Sequence, residues 1–152
     1  MSENTRKNDL ITQAGKEHSQ LVTDSEKTRK LCWIQHPYIT RHINTQISGN
    51  PEIDWLTWFK NNYAQKPFDY GLSLGCGTGL VEREAIQKKI CLQFDGIDIT
   101  QDSIQVAIRL ANDNNLGNQL HYSVQDLNSV QLESQKYDFI LISHSLHHIE
   151  QL

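Results

Sequence analysis

Long hydrophobic runs are absent from this sequence of 152 residues. A membrane-spanning helix requires about 20 consecutive apolar residues, and no stretch approaches that length. The first seven residues, Met1–Lys7, also lack the apolar core of a signal peptide. These absences argue against a membrane partner and predict a cytoplasmic protein.

Cysteine is also scarce. Cys32, Cys76 and Cys91 are odd in number, widely spaced and without a C-x-x-C pair. A disulfide-rich domain or a zinc site requires paired, regularly spaced cysteines. We therefore expect reduced thiols and no bound metal.

Basic residues are few in the second half of the chain. Residues 67–152 carry 5 Lys or Arg against 11 Asp or Glu, whereas residues 1–66 carry 9 against 7. Proteins that bind a phosphate backbone cluster their basic residues on one surface. The acidic second half therefore argues against nucleic acid as a partner.

The patterns that the chain does contain begin with helices. A chain of this length forms one domain that buries roughly 70% of the surface of its unfolded form. Pro37 suits the first turn of a helix that ends at Gly49, and Asn50 suits the cap of a second helix that ends before Pro67. Because residues 1–66 hold all three tryptophans, we expect a helical leader that packs on the following domain or covers its ligand.

A glycine motif follows the leader. Residues 70–80 read Tyr-Gly-Leu-Ser-Leu-Gly-Cys-Gly-Thr-Gly-Leu, which predicts a strand, a tight loop with Gly75, Gly77 and Gly79, and the start of a helix. Glycine permits positive φ and a close approach of ligand to backbone, and the N–H groups of a helix start attract an anion or carboxylate. A dinucleotide fingerprint needs a further glycine at position 80, where Leu80 stands.

Strands and helices alternate around this loop. Strands are predicted over residues 69–74, 91–99, 120–124 and 137–143, with helices after the first and second strands that end near residues 89 and 117. This alternation predicts a doubly wound parallel α/β sheet that binds its ligand at the carboxyl ends of the strands.

Three polar residues follow those strand ends. Asp98 ends the second strand 19 residues after Gly79, which is the separation expected of a carboxylate that binds ribose hydroxyls. Asp126 follows the third strand, and His144 follows the fourth. The coincidence of all these residues at one edge of the sheet favours a single ligand site.

From about residue 68 onward, the Leu72–Gly79 motif and these strand-end residues resemble the class I S-adenosylmethionine-dependent methyltransferases of type 11/12. The resemblance implies a Rossmann-like fold, S-adenosylmethionine as the cofactor and a small-molecule O, N or C nucleophile as the methyl acceptor. In this family the loop that corresponds to Gly75, Cys76, Gly77 and Gly79 holds the methionine part of the cofactor.

The resemblance also assigns the other end of the cofactor. Asp98 binds the ribose hydroxyls with Ile99 beside it, Asp126 accepts a hydrogen bond from the adenine amino group, and Leu127 packs on or donates to the adenine ring. In-line displacement of the methyl group needs no covalent intermediate, and Cys76 is interpreted as a small loop residue and not a nucleophile because no base partner adjoins it in sequence.

Two features depart from the family pattern. Family members carry an acid at the position of Ser73, where it orders the loop and meets the ammonium group of the cofactor. A full sheet of this family has seven strands, whereas residues 67–152 predict about four. We therefore expect residues 67–152 to be the N-terminal half of a longer methyltransferase domain, with an inactive half domain or an NAD-dependent oxidoreductase as alternatives.

Histidines after the fourth strand suggest acid–base chemistry. His144 and His148 lie i, i+4 on a predicted helix that begins at His144, and no third metal ligand has suitable spacing. Either imidazole can be the general base that removes the proton of the methyl acceptor.

Three other polar residues are expected to have no part in the site. Asp95 is expected to be solvated, and Glu82 and Arg83 are expected to pair on the surface of the helix.

Overall fold

Four parallel strands form the centre of the computed structural model, which describes residues 12, 13 and 36–150. The elements follow in the order α1 (Pro37–Ser48), α2 (Trp55–Tyr63), β1 (Phe68–Leu74), α3 (Leu80–Gln87), β2 (Cys91–Asp98), α4 (Gln101–Asp113), β3 (Leu120–Val124) and β4 (Phe139–Ile142), with a 3-10 helix at Leu146–His148. The strand order is β3-β2-β1-β4, so the direction of winding reverses between β1 and β4. This arrangement confirms the predicted partial Rossmann-like sheet and its helical N-terminal region.

The core lies where α2, α3 and α4 pack on one face of the sheet. Phe94 of β2 is fully buried and belongs to a cluster with Ala85 and Ile86 of α3 and Leu120 of β3. Gly71 of β1 makes room for the aromatic rings, since a Cβ there would lie 2.9 Å from Phe139 and 3.0 Å from Phe94. Burial of these apolar side chains is the main favourable term in folding.

Helix α2 packs at the end of the sheet where the strands begin. The Phe59 ring lies 6.4 Å from Phe68 and 6.0 Å from Phe139, which are the first residues of β1 and β4. Leu56 is buried in the same core cluster. Helix α2 of the leader therefore packs on the sheet at the opposite end from the glycine loop.

The predicted start of α2 at Asn50 is wrong. The Asn50 side chain instead accepts the Glu52 N–H at 2.9 Å and forms a local turn. The helix begins at Trp55 because Asp54 caps it, with Oδ1 accepting the Thr57 N–H at 2.9 Å. Burial alone would raise the pKa of Asp54, but hydrogen bonds from Thr57 and the Lys88 ammonium outweigh it and lower the pKa.

Helix α4 departs from its predicted bounds and face. Thr100 occupies the cap position, but its side chain makes no capping bond, and the helix ends at Asp113 instead of near Gly117. Asn115 ends it earlier because the residue adopts a left-handed conformation with φ of 59°, which asparagine tolerates. Ile108, whose spacing of four residues from the buried Ile104 predicts burial on the same face, is 43% exposed.

Some features named from the sequence lie outside the described residues. Cys32 and most of residues 1–30 belong to that part of the chain. No helix among the described residues is long and apolar enough to cross a membrane.

The expectation that Asp95 is solvated is wrong. Its carboxylate is half-buried on the sheet and accepts hydrogen bonds from Tyr70 Oη at 2.7 Å, Tyr137 Oη at 2.8 Å and Lys136 Nζ at 3.0 Å. The Tyr70 and Tyr137 rings are stacked with centroids 5.5 Å apart. Burial alone would raise the pKa of Asp95, but these three donors together lower it, while burial and the Asp95 carboxylate raise the pKa of Tyr70 to about 12.

Removing one donor should therefore destabilise the fold in a pH-dependent way. We expect Tyr137→Phe to lower the free energy of unfolding by about 1 kcal/mol at pH 7. Because the pKa of Asp95 is lowered in the folded state, its contribution is present above the unfolded value near 3.9 and is lost as pH falls further. Urea unfolding at pH 7 and pH 3 should show a smaller difference at pH 3, with Tyr63→Phe, an exposed tyrosine, as the matched control. An equal difference at both pH values would contradict the role of the carboxylate.

Candidate functional site

The carboxyl ends of three strands are joined by backbone hydrogen bonds. The N–H groups of Gly75 and Cys76, just after β1, both donate to the Ile97 carbonyl of β2, at 2.8 and 3.0 Å. The Gln125 N–H, just after β3, donates to the Asp98 carbonyl at 3.0 Å. The predicted site residues that follow β1, β2 and β3 are thus brought to one edge of the sheet.

The glycine loop of residues 75–79 has three left-handed positions. Gly75, Gly77 and Gly79 have φ of 75°, 53° and 72°. A Cβ on Gly75 would lie 2.3 Å from Ser145 Cβ, and one on Gly79 would lie 2.4 Å from Tyr122 Oη. A Cβ on Gly77 would meet nothing within 4 Å. Gly75 and Gly79 therefore allow the loop to pack on the protein, whereas Gly77 leaves its backbone open to a ligand.

Asp98 lies against this loop. Its Oδ2 accepts the Gly77 N–H at 2.8 Å, and its Oδ1 accepts the Thr100 N–H at 2.8 Å. Each carboxylate oxygen can accept more than one hydrogen bond, so both retain capacity for hydroxyl donors. Ile99, which is half-buried, follows at the same strand end.

Two side chains that were not predicted to contact the loop hold it from its protein side. Arg83 Nη1 donates to the Thr78 carbonyl at 2.6 Å, and Tyr122 Oη donates to the Gly79 carbonyl at 3.3 Å. Arg83 is 8% exposed and Glu82 is 1% exposed, so the prediction of a surface pair is wrong. A signal for Tyr122 exists in Gly96, an isolated glycine within a strand, where a Cβ would lie 2.6 Å from the Tyr122 ring.

Cys76 is a half-buried thiol in the loop. Burial, with a further contribution from the nearby Glu82 and Asp98 carboxyls, raises the pKa of Cys76 well above its ordinary value. A thiol must ionise to act as a nucleophile or a metal ligand. This environment agrees with a packing role for Cys76 and with the free state of Cys76 and Cys91.

Asp126 forms a turn after β3. Its Oδ1 accepts the Asn128 N–H at 2.9 Å, which is the side-chain-to-backbone pattern of an Asx turn. Asn128 then links this turn to the segment after β4, because its Nδ2 donates to the His148 carbonyl at 3.3 Å and its Oδ1 accepts the Glu150 N–H at 2.8 Å. Leu127 is half-buried within the turn.

The predicted helix beginning at His144 is wrong. His144 has a left-handed backbone with φ of 60°, and only Leu146–His148 form a 3-10 helix. The reason is Ser145, whose hydroxyl donates to the Leu74 carbonyl and whose Cβ faces Gly75, so the chain turns sharply toward the loop before any helix begins. His144 is exposed, with Nδ1 3.1 Å from Ser143 Oγ, and His148 is half-buried.

Within the described ranges, no group of three His, Cys, Asp or Glu side chains is arranged to hold a metal ion. The groups that the described strand ends offer are the open backbone at Gly77 and the carboxylates of Asp98 and Asp126. Such a set can bind a ligand that carries hydroxyl and amino donors and that presses against a glycine loop.

Comparison with known proteins gives this arrangement a context. A family model described as a methyltransferase domain matches residues 72–152. No curated protein matches the chain significantly.

Solved structures share the fold. The MccD protein is 25% identical with a TM-score of 0.51 over 56% of this chain and 37% of that chain. S-adenosylmethionine-dependent methyltransferases from Thiobacillus denitrificans and Geobacter sulfurreducens, both in complex with S-adenosylhomocysteine, are 18% and 17% identical with TM-scores of 0.55 and 0.53. Those two alignments cover 64% and 61% of this chain but 38% and 36% of the others, so this chain spans less than two-fifths of each relative.

Proposed function

Because the chain belongs to the class I S-adenosylmethionine-dependent methyltransferases, we propose that it transfers the methyl group of S-adenosylmethionine to an oxygen, nitrogen or carbon nucleophile of a small molecule. The observation that carries this proposal is the hydrogen bond between Asp98 Oδ2 and the Gly77 N–H. It joins the glycine loop and the acid for the ribose in one unit at the carboxyl edge of the sheet. Ligands of open α/β sheets bind at that edge, near the point where strand order reverses.

The described residues fit S-adenosylmethionine. Gly77 leaves its backbone open for the methionine part, and Asp98 offers two acceptor oxygens for the two ribose hydroxyls. Asp126 and Leu127, at the end of the next strand, would hold the adenine ring. The cofactor, when bound, supplies an electrophilic methyl group. The contribution of the protein is alignment, since holding two reactants in place can lower the barrier by several kcal/mol.

This chain covers less than two-fifths of the length of the solved methyltransferases from Geobacter sulfurreducens and Thiobacillus denitrificans. We propose that residues 67–152 form the cofactor-binding half of a longer catalytic domain and that residues 1–66 are its helical leader. The short span of this chain relative to solved methyltransferases supports that view. Residues beyond this half would then shape the pocket for the methyl acceptor.

Calorimetric titration of the full chain with S-adenosylmethionine, S-adenosylhomocysteine and NADH tests the cofactor. We expect saturable binding of the first two ligands and none of NADH. Binding of NADH alone would indicate an oxidoreductase and contradict the methyltransferase assignment. Binding of none of the three would indicate a half domain without cofactor affinity.

The proposed base is tested by the double variant His144→Gln/His148→Gln. An imidazole that accepts the proton of the methyl acceptor contributes typically 10²–10⁴-fold to the rate. We expect a fall in kcat of that size with unchanged affinity for S-adenosylmethionine. The control variant His42→Gln, on α1, should keep the kcat of the wild-type protein. The measurement is formation of S-adenosylhomocysteine with a panel of phenols, primary amines and carbon acids. Equal kcat in the variant and the wild-type protein would remove both histidines from the mechanism, whereas cofactor binding without any turnover in the wild-type protein would favour the inactive half domain.

A further inference from the structure

Glu82, on the first turn of α3, is a buried acid that the proposed function has not used. Its side chain is 1% exposed, and its Oε2 is closed to solvent without a hydrogen-bond partner among the described residues. Arg83 Nη1 donates to the Thr78 carbonyl, and the guanidinium charge lowers the pKa of Glu82 by less than burial raises it. Glu82 therefore holds a polar atom in the interior for which the described residues provide no partner.

The surroundings of Glu82 are those of the glycine loop. The Ser73 hydroxyl, itself 2% exposed, hydrogen-bonds to the Glu82 carboxyl. The carboxyl also lies close enough to Cys76 and Tyr122 to raise the pKa of both groups. Cys76 belongs to the loop and Tyr122 contacts it, so the carboxyl sits on the protein side of the loop.

Packing does not account for an acid at this position. An alanine or leucine on the same face of α3 would fill the site without desolvating a carboxyl, which costs several kcal/mol when the group is charged and unpaired. Burial is accordingly the main cause that raises the pKa of Glu82. A cationic group brought to the loop would offset that cost, because attraction between opposite charges is strong where water is excluded.

We propose that Glu82 supplies the negative charge that pairs with the α-ammonium group of the bound cofactor, through its position behind the loop and against Ser73. The proposal rests on the proposed function. The family resemblance gives this role to an acid at position 73. Here Ser73 occupies that position, and its hydroxyl hydrogen-bonds to the Glu82 carboxyl, which comes from the following helix.

The test compares three adenosyl ligands, of which two carry the amino-acid end and one lacks it. S-adenosylmethionine and S-adenosylhomocysteine carry the ammonium group, whereas 5′-methylthioadenosine keeps the adenosine and lacks the amino acid. We expect Glu82→Gln to weaken binding of the first two ligands by roughly 10- to 100-fold, the range for a hydrogen bond to a charged group. The affinity for 5′-methylthioadenosine should be unchanged. Calorimetry of the full chain measures all three.

The outcomes separate this inference from the proposed function. Equal weakening of all three ligands, or of none, would overturn the role of Glu82 and leave the methyltransferase intact. Failure of the wild-type protein to bind any adenosyl ligand would overturn the proposed function and the inference with it.

Two further measurements guard against a variant that merely unfolds. Because the folded-state pKa of Glu82 is raised, the acid costs stability at pH values above that pKa, and the neutral amide of Glu82→Gln should melt at the same or a higher temperature than the wild-type protein at pH 8. The double variant Ser73→Asp/Glu82→Ala returns the acid to β1 and should recover most of the lost affinity for S-adenosylmethionine. A double variant that folds and binds as weakly as Glu82→Gln would contradict the proposal.

Discussion

Replacing Asp98 with alanine is expected to weaken S-adenosylmethionine binding by about 10²–10⁴-fold. Two ribose hydroxyls donating to one carboxylate contribute about 1.5–3 kcal/mol each, and every 1.4 kcal/mol is tenfold in affinity. The variant also removes the acceptor of the Gly77 and Thr100 N–H groups, so part of the loss arises from a looser loop. Calorimetry well below the melting temperature measures the loss in a folded sample.

Asp98→Asn separates the two contributions. The amide keeps one acceptor oxygen but turns an N–H₂ group toward either a backbone N–H or a hydroxyl, so we expect an affinity between those of wild type and Asp98→Ala. Asp69→Ala, at the opposite end of β1 and exposed, is the control for loss of one negative charge. Wild-type affinity in Asp98→Ala would refute the ribose assignment and the methyltransferase site built on it.

Gly75→Ala is expected to lower mainly the free energy of unfolding, whereas Gly77→Ala is expected to lower mainly the affinity for S-adenosylmethionine. A Cβ at Gly75 would lie 2.3 Å from Ser145 Cβ in a left-handed residue, so strain and overlap together should lower the free energy of unfolding by about 2–5 kcal/mol. A Cβ at Gly77 meets nothing within 4 Å, so only the left-handed conformation costs stability, about 1 kcal/mol. That Cβ would instead stand in the space where the proposed cofactor approaches the backbone.

We therefore expect Gly77→Ala to fold and to lose most of its affinity for S-adenosylmethionine, and Gly75→Ala to be the less stable of the two. Urea unfolding and calorimetry on the same samples make the comparison. Ser145→Gly in the Gly75→Ala background should restore part of the stability, because the overlap disappears while the backbone strain remains. Full affinity in Gly77→Ala would show that the ligand does not contact this face of the loop.

Local sequence patterns predicted most of the fold. Strand β3 has its predicted bounds, and β1, β2 and β4 differ from prediction by one or two residues at an end. These strands are short, apolar and bounded by turn residues, so their length and type are determined within a few positions of the chain. The strand-end residues Asp98 and Asp126 follow directly from those bounds.

The wrong predictions concern residues whose conformation or burial depends on residues far away in the sequence. His144 takes a left-handed turn because Ser145 packs on Gly75 across the sheet, which no local pattern shows. Asp95 is held by Tyr70 and Tyr137, whose proximity depends on strand register. Polar and charged residues are mostly exposed in folded proteins, and the expectation that Asp95 is solvated followed that general tendency.

Glu82 was a different kind of error, because a local signal for its burial existed. It lies three residues before Ala85 and four before Ile86, on the same face of α3, and both of those residues are buried. The prediction of a surface pair gave more weight to the charge of Glu82 than to its position on the apolar face of α3. A charged residue in register with an apolar helix face is thus a candidate for a functional interior group.

The paired donation of Gly75 and Cys76 to the single Ile97 carbonyl has a consequence for how a ligand is received. Together with the Gly77 N–H on Asp98, it leaves three successive amide hydrogens of the loop engaged before any ligand arrives. Those amides, and the Gly79 N–H that donates to the Cys76 carbonyl at 3.0 Å, should exchange slowly with deuterium in the free protein. Most of the ordering entropy of this segment has been lost during folding, so association requires little induced fit.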